Sequence, residues 1–232
     1  MCGRYSLTDP DPARLRARFD ILESSEIVEK PRFNIAPTDP VLAVRRRDED
    51  GARIAGRLRW GLVPGRWAEK GGRPLINARA ESLATQPAFA ESFRERRCLI
   101  PADGFYEWLT DERGKRPLWL SRPDGGLFAF AGLWAELPRM DADGALHSCT
   151  IVTTAPNALV RPIHDRMPVI LERDAESAWL DPSIPVDELV HLLAPAPDEG
   201  LLAREVSDLV NDVRRDGPEL IAPASSPQTA LF

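Results

Sequence analysis

The sequence is poor in cysteine, with three among 232 residues, at positions 2, 98 and 149. They form neither a close pair nor a dense framework, which excludes disulfide stapling and cysteine-bound structural zinc as organising devices. No apolar run approaches the roughly 18 residues needed to span a bilayer. The amino terminus lacks the basic-then-apolar layout of a secretion signal, so the sequence reads as cytoplasmic, with reduced thiols. Internal repeats and long low-complexity runs are absent as well. An excess of positive charge is also missing: 30 basic residues face 36 acidic ones, net -6, which argues against a general nucleic-acid coat. The total hides an asymmetry, because residues 1–100 carry 19 basic and 14 acidic side chains, net +5, and residues 101–232 carry 11 and 22, net -11. Nearly all the basic residues are arginine, which suits bidentate contacts to phosphate.

What is present in quantity is punctuation. Twenty-two prolines and 15 glycines cut the chain into short elements, the pattern of a β-rich α+β domain. Aromatic and β-branched residues mark strand candidates at Val41–Val44, Arg57–Trp60, Gly104–Leu109, Leu118–Leu120, Leu127–Leu133 and Ser148–Thr154. Apolar positions three or four apart predict helices over Asp11–Phe19, Ala88–Arg97, Asp174–Leu180 and Val186–Leu193. The first opens with Asp-Pro, where an N-cap and a first-turn proline belong. The segment from Ile221 to Phe232 reads as a flexible tail, and nothing before it divides the chain.

Chemistry concentrates first at Met1-Cys2-Gly3-Arg4. A small second residue permits removal of the initiator methionine, which leaves Cys2 with a free α-amine beside its thiol. At pH 7 an α-amine of pKa about 8 is roughly one-tenth neutral, and a thiol of pKa about 8.5 is a few per cent thiolate. Both nucleophiles are then available without special tuning. Such an aminothiol condenses with an aldehyde through a Schiff base and closes to a thiazolidine, and it can also attack an amide. Three further strings carry polar groups in apolar settings. Asn77 and Arg79 share one face if extended, Glu107 lies between aromatics where desolvation raises its pKa, and His164 offers proton transfer beside Arg166. Each also has a plain structural use: a turn residue, a solvent-facing glutamate, a hydrogen-bonded histidine.

Taken in order, Cys2-Gly3-Arg4, Asn34-Ile35-Ala36-Pro37, Trp60-Gly61-Leu62-Val63-Pro64, Ile76 to Glu81, Gly104 to Trp108 and Ile163-His164-Asp165-Arg166 resemble the SOS-response-associated peptidase (SRAP) family. The likeness continues through Gly132-Leu133-Trp134, Thr153-Thr154 and Gly217 to Ile221. It implies a single barrel-like SRAP domain with peripheral helices over residues 1–223, residues 224–232 forming a tail. It further implies a monomer whose positively charged groove holds single-stranded DNA, nucleoid-associated when it acts there. In that reading the processed Cys2 captures the aldehyde of an abasic site as a covalent thiazolidine in the DNA damage response. Asn77 orients the Cys2 α-amine, Glu107 moves protons, and His164 assists sugar-ring opening. Arg4, Arg79 and Arg166 hold phosphates, while Trp67 with Pro37 offers a platform for a flanking base. The family is also credited with removing its own initiator methionine, and a Schiff base gives β-elimination, an abasic-site lyase activity, as a side reaction. No metal and no cofactor is required. Two other readings stay open from the residues: an N-terminal-nucleophile amidohydrolase, and a noncatalytic single-strand-binding module in which Cys2 is incidental.

Overall fold

Segments this short, rich in β-branched and aromatic residues between breakers, favour extended backbone over long helices. The structure, a computed structural model, describes residues 2–22, 27, 30–64, 73–136 and 147–224. Strands β1 (Tyr5–Leu7), β2 (Arg32–Ile35), β7 (Gly104–Asp111), β8 (Gly114–Ser121) and β13 (Leu202–Glu205) form one antiparallel sheet in the order β13-β8-β7-β1-β2. Strands β3 (Pro40–Arg46), β4 (Arg53–Trp60), β6 (Arg97–Ala102), β9 (Phe128–Glu136) and β10 (His147–Thr154) pair as β10–β4, β4–β3, β3–β6, β6–β9 and β9–β10. That circuit closes a five-stranded barrel.

Along its length β10 changes partner. Ser148 and Cys149 pair with Arg59 and Trp60 of β4, and Ile151 to Thr153 then pair in parallel with β5 (Asn77–Arg79). On the other flank β9 gives way to β11 (Met167–Pro168), which meets Thr153 and Thr154. The end of β10 therefore brings Asn77 and Arg79 to one side and the segment before β11, with His164 and Arg166, to the other. A short β12 (Ile170–Leu171) adds to β9.

Aromatic rings join sheet to barrel. The Tyr5 ring stands edge-on to Trp60 and Phe130 at 5.4 and 5.6 Å, and Phe105 and Phe128 close on Phe130. Such pairs contribute about 0.5–1.5 kcal/mol each beyond their buried area. Helices lie outside this core. Helix α1 (Pro12–Phe19) is capped by the Asp11 carboxylate on the Arg14 amide, buries Leu15 and Phe19, and ends on Asp20 in the left-handed region. Helices α2 (Ala90–Glu95), α3 (Ala175–Leu180) and α4 (Val186–Leu189) are shorter. On α3, Trp179 donates its indole N–H to the Cys98 carbonyl.

The α+β expectation of a β-rich barrel with peripheral helices holds, but several boundaries differ. The helix expected over Ala88–Arg97 is confined to Ala90–Glu95, because Arg97 opens β6 and its buried guanidinium binds the carbonyls of Phe93, Arg94, Trp179 and Asp181. The Val186–Leu193 helix splits into α4 and a 3-10 turn at Val190–Leu193. The expected tail begins inside the fold: Ile221 packs on a small second core, Pro223 bridges to Val206, and the Ala224 amide binds the Glu205 carbonyl.

Candidate active site around Cys2

Three residues of strand are little to hold an amino terminus, and the sequence compensates with side chains. Buried Asp103, just before β7, accepts from Ser6 Oγ at 2.7 Å, from the Thr8 amide at 2.5 Å and from Thr8 Oγ1 at 2.6 Å. Its own amide donates to the Ser6 carbonyl, and the Trp119 indole donates to Ser6 Oγ. Two residues earlier in the chain, the Arg4 carbonyl accepts from the Tyr106 amide. Arg4 Nη1 donates to Asn34 Oδ1 at 2.8 Å and to the Val210 carbonyl at 2.9 Å. Asn34 in turn donates to the carbonyls of Val210, Asp212 and Arg215. The chain end is thus fastened to β7, β2 and the carboxyl-terminal segment.

Cys2 emerges from this anchorage fully buried. Asn77 Nδ2 donates to the Cys2 carbonyl at 2.9 Å, while Asn77 Oδ1 is buried with no hydrogen-bond partner among the described residues. The amide therefore orients Cys2 through its carbonyl and keeps an acceptor in the site. Burial raises the Cys2 thiol far above the ordinary cysteine range, and the charge of Glu107 adds to the rise. Burial thus works against the partly ionised thiol expected at neutral pH. In a dry setting beside a carboxylate the sulfur holds its proton, so it needs a base before it can act.

Glu107 is 3% exposed on β7. Burial lifts its pKa from 4.5 to about 7, and the negative charge of Asp165 contributes in the same direction. A carboxyl group half-protonated near neutral pH serves as acid or base equally well. His164 is shifted the other way: burial lowers its pKa, so its ring is neutral at pH 7. Its Nδ1 accepts the Arg166 amide at 3.0 Å and lies 2.8 Å from Asp165 Oδ1. These contacts require opposite proton states of Nδ1. The neutral ring accepts from Arg166 and carries its proton on Nε2, and the protonated ring donates to Asp165.

The remaining expected residues divide. Arg79 is exposed at the end of β5. Arg4 is half-buried and engaged as described, and Arg166 is paired with Glu81 through two bonds. Pro37 occupies a turn closed by the Asp39 amide on the Ala36 carbonyl, with Thr38 at φ 78°. A branched residue there is strained, since that turn position ordinarily takes glycine or asparagine. Asp39 lies close enough for its charge to act on Arg4, which puts the Pro37 turn beside the amino-terminal anchorage. Trp67 falls outside the described residues. Sequence reasoning assigned nothing to Asp103 or Asp165. The signal for both was present, an aspartate embedded in a string of aromatic or catalytic residue types. Among the described residues no group of three or more His, Cys, Asp or Glu could hold a metal ion, and no helix is long and apolar enough to cross a membrane.

Residues 1–213 match the family model described as SOS response associated peptidase (SRAP). The chain belongs to the SRAP family. It is similar to the abasic site processing protein YoqW of Bacillus subtilis (strain 168), 40% identical over 232 residues that cover 95% of this chain and 99% of that one. To the abasic site processing protein YedK of Escherichia coli (strain K12) it is 34% identical over 231 residues, covering 96% and 100%. A solved structure from Bacteroides thetaiotaomicron shares the fold with a TM-score of 0.81 at 23% identity, over 97% of this chain and 100% of that one. A phage-related protein of Bordetella bronchiseptica gives a TM-score of 0.71 at 30% identity, over 88% and 94%. All of Cys2, Asn77, Glu107 and His164 fall within the SRAP match.

Proposed function

We propose that this SRAP chain processes abasic sites by covalent capture, holding single-stranded DNA and joining Cys2 to the ring-opened aldehyde as a thiazolidine. The observation that carries the reading is the buried Cys2, its carbonyl held by Asn77, within reach of the charge of the buried Glu107 carboxyl, whose pKa burial raises to about 7. The similar proteins YoqW and YedK, named for abasic site processing, support the same substrate.

The chemistry begins with hydrolysis of the Met1–Cys2 peptide bond, which frees the α-amine. That amine attacks the aldehyde carbon to give a carbinolamine. Protonated Glu107 donates to the departing hydroxyl, water leaves, and a protonated imine forms. Glu107, now ionised, takes the thiol proton that burial had kept on sulfur. The sulfur adds to the imine carbon, the nitrogen keeps its proton, and the five-membered ring closes with Glu107 protonated again. The balance is one aldehyde and one aminothiol to one thiazolidine and one water. A neutral His164 has a proton to give to the sugar ring oxygen when the ring opens. Arg79 is the exposed guanidinium beside this site for the flanking phosphate. Proton abstraction from the sugar while the imine persists gives strand cleavage as a side reaction.

The test is denaturing electrophoresis of protein confirmed by mass to lack Met1, incubated with an oligonucleotide bearing one abasic site, beside Cys2→Ala and an intact-base control. A heat-stable shifted band that needs both Cys2 and the abasic site is expected, together with no glutaminase activity. Absence of that band from processed protein sinks the reading.

A further inference from the structure

Glu81 has no part in that chemistry, yet its placement is unusual. It sits in the 3-10 turn Ala80–Ser82, directly after Arg79, with its side chain 55% exposed. Arg166 reaches it across the end of β10, donating from Nη1 to Oε1 at 2.7 Å and from Nη2 to Oε2 at 2.8 Å. This is the planar fork that guanidinium groups present to carboxylate and phosphate alike. Nη2 also donates to the Thr153 carbonyl at 2.6 Å. The third nitrogen, Nε, is buried with no hydrogen-bond partner among the described residues. The Arg166 side chain is only 13% exposed, so the Nη edge is the one an incoming anion can approach, and Glu81 occupies it. Arg166 is the first cause of the lowered Glu81 pKa, and the charge of Arg79 acts in the same sense. One carboxylate therefore lies between two arginines on the face that carries Asn77 and His164.

We propose that Glu81 is a displaceable surrogate for a DNA phosphate: it occupies Arg166 in the free protein, and a single strand gains Arg166 only by displacing it. The inference rests on the reading of this face as DNA-binding. Its consequence is selectivity. An undamaged strand must exchange one anion for another at Arg166 and gains little by doing so, which keeps the noncovalent grip weak on every sequence. Retention then comes from the covalent bond, which only an abasic aldehyde can supply. Arg79, exposed, makes the first phosphate contact, and Arg166 joins after the exchange.

The experiment measures fluorescence anisotropy of an undamaged single-stranded oligonucleotide with wild type, Glu81→Gln, Arg166→Ala and the double variant across a salt series. Denaturing gels of the same proteins with abasic DNA run alongside. Glu81→Gln keeps the bulk and removes the charge, so it is expected to bind about twofold to fivefold tighter and to steepen the slope of log K against log salt by about 0.7, the value of one added phosphate contact on a single strand. The gain is expected to vanish in the double variant. Unchanged or weaker binding by Glu81→Gln overturns the inference and leaves Glu81 as a brace for Arg166, and so does a gain that survives Arg166→Ala. A wild type that forms no Cys2-dependent crosslink sinks the proposed function, and this inference with it. A crosslinking wild type without tightening in Glu81→Gln sinks this inference alone.

Discussion

Two glutamates in this fold are almost equally buried, Glu107 at 3% and Glu176 at 0% exposure, and they have opposite surroundings. Glu176, on α3, faces two guanidinium groups: Arg18 of α1 at 2.7 Å and Arg53 of β4 at 3.3 Å. Its charge is matched, and it ties two peripheral helices to the barrel. At Glu107 burial is the largest influence and leaves the carboxyl titrating near neutrality, with the charge of Asp165 adding to the rise. The same side chain at the same depth is a structural ion in one place and a proton carrier in the other. What differs is whether burial is offset: two guanidinium groups offset it at Glu176, while at Glu107 desolvation prevails, and that is what marks a candidate catalytic carboxyl.

Changing each glutamate tests the contrast, and the larger stability effect belongs to Glu176. Glu176→Ala leaves Arg18 and Arg53 facing each other without a counter-charge, and breaking a buried pair in this way costs about 3–5 kcal/mol. A large fall in the urea midpoint with an unchanged slope is expected, and a fall below about 1 kcal/mol sinks the structural assignment. For Glu107 the sign is reversed. Its folded pKa stands above its unfolded value, so the folded state holds the proton more tightly. Stability is full below about pH 4.5 and is lost as pH rises through about 7. The loss amounts to ~3 kcal/mol above pH 7. Glu107→Gln removes that dependence: its unfolding free energy matches wild type near pH 4 and exceeds it at pH 8, while crosslinking slows by about a hundredfold or more. A variant with the wild-type pH dependence of unfolding shows that Glu107 is not the group that titrates.

The contrast also marks what a sequence can show. Cys2, Asn77, Glu107 and His164 could be singled out as candidates because their chemistry is carried by short contiguous strings. The environment that separates Glu107 from Glu176 was not legible, because it depends on which distant charges the fold brings near. The neutral thiol of Cys2 was missed for the same reason: its ionisation depends on burial, which two residues of flanking sequence do not encode. Asn77 was expected to orient the α-amine, and the contact of its Nδ2 with the neighbouring Cys2 carbonyl depends on the fold and could not be read from the string. Among the strands, Arg97–Ala102 was hidden because Arg97 continues the helical spacing of Ala88–Arg97 before the chain turns extended. The three-residue Tyr5–Leu7 offers too little alternation to read.

Asp103 stands between the two glutamates in kind, and predicts the smallest of these effects. It is a buried carboxylate neutralised by donors rather than cations, and its donors belong to Ser6 and Thr8. Asp103→Asn keeps the shape but replaces one acceptor oxygen with an NH2 group that opposes the Thr8 amide or a hydroxyl. A loss of about 1–3 kcal/mol follows from leaving a buried donor unsatisfied. Since β1 links this anchor to Cys2, its loosening lets the amino terminus wander from Glu107. The expected signature is faster hydrogen exchange at Ser6 and Thr8, with a slower crosslink at a temperature where the variant remains folded. Lost stability with an unchanged crosslinking rate would show that Asn77 and the Arg4 contacts hold Cys2 without help from β1.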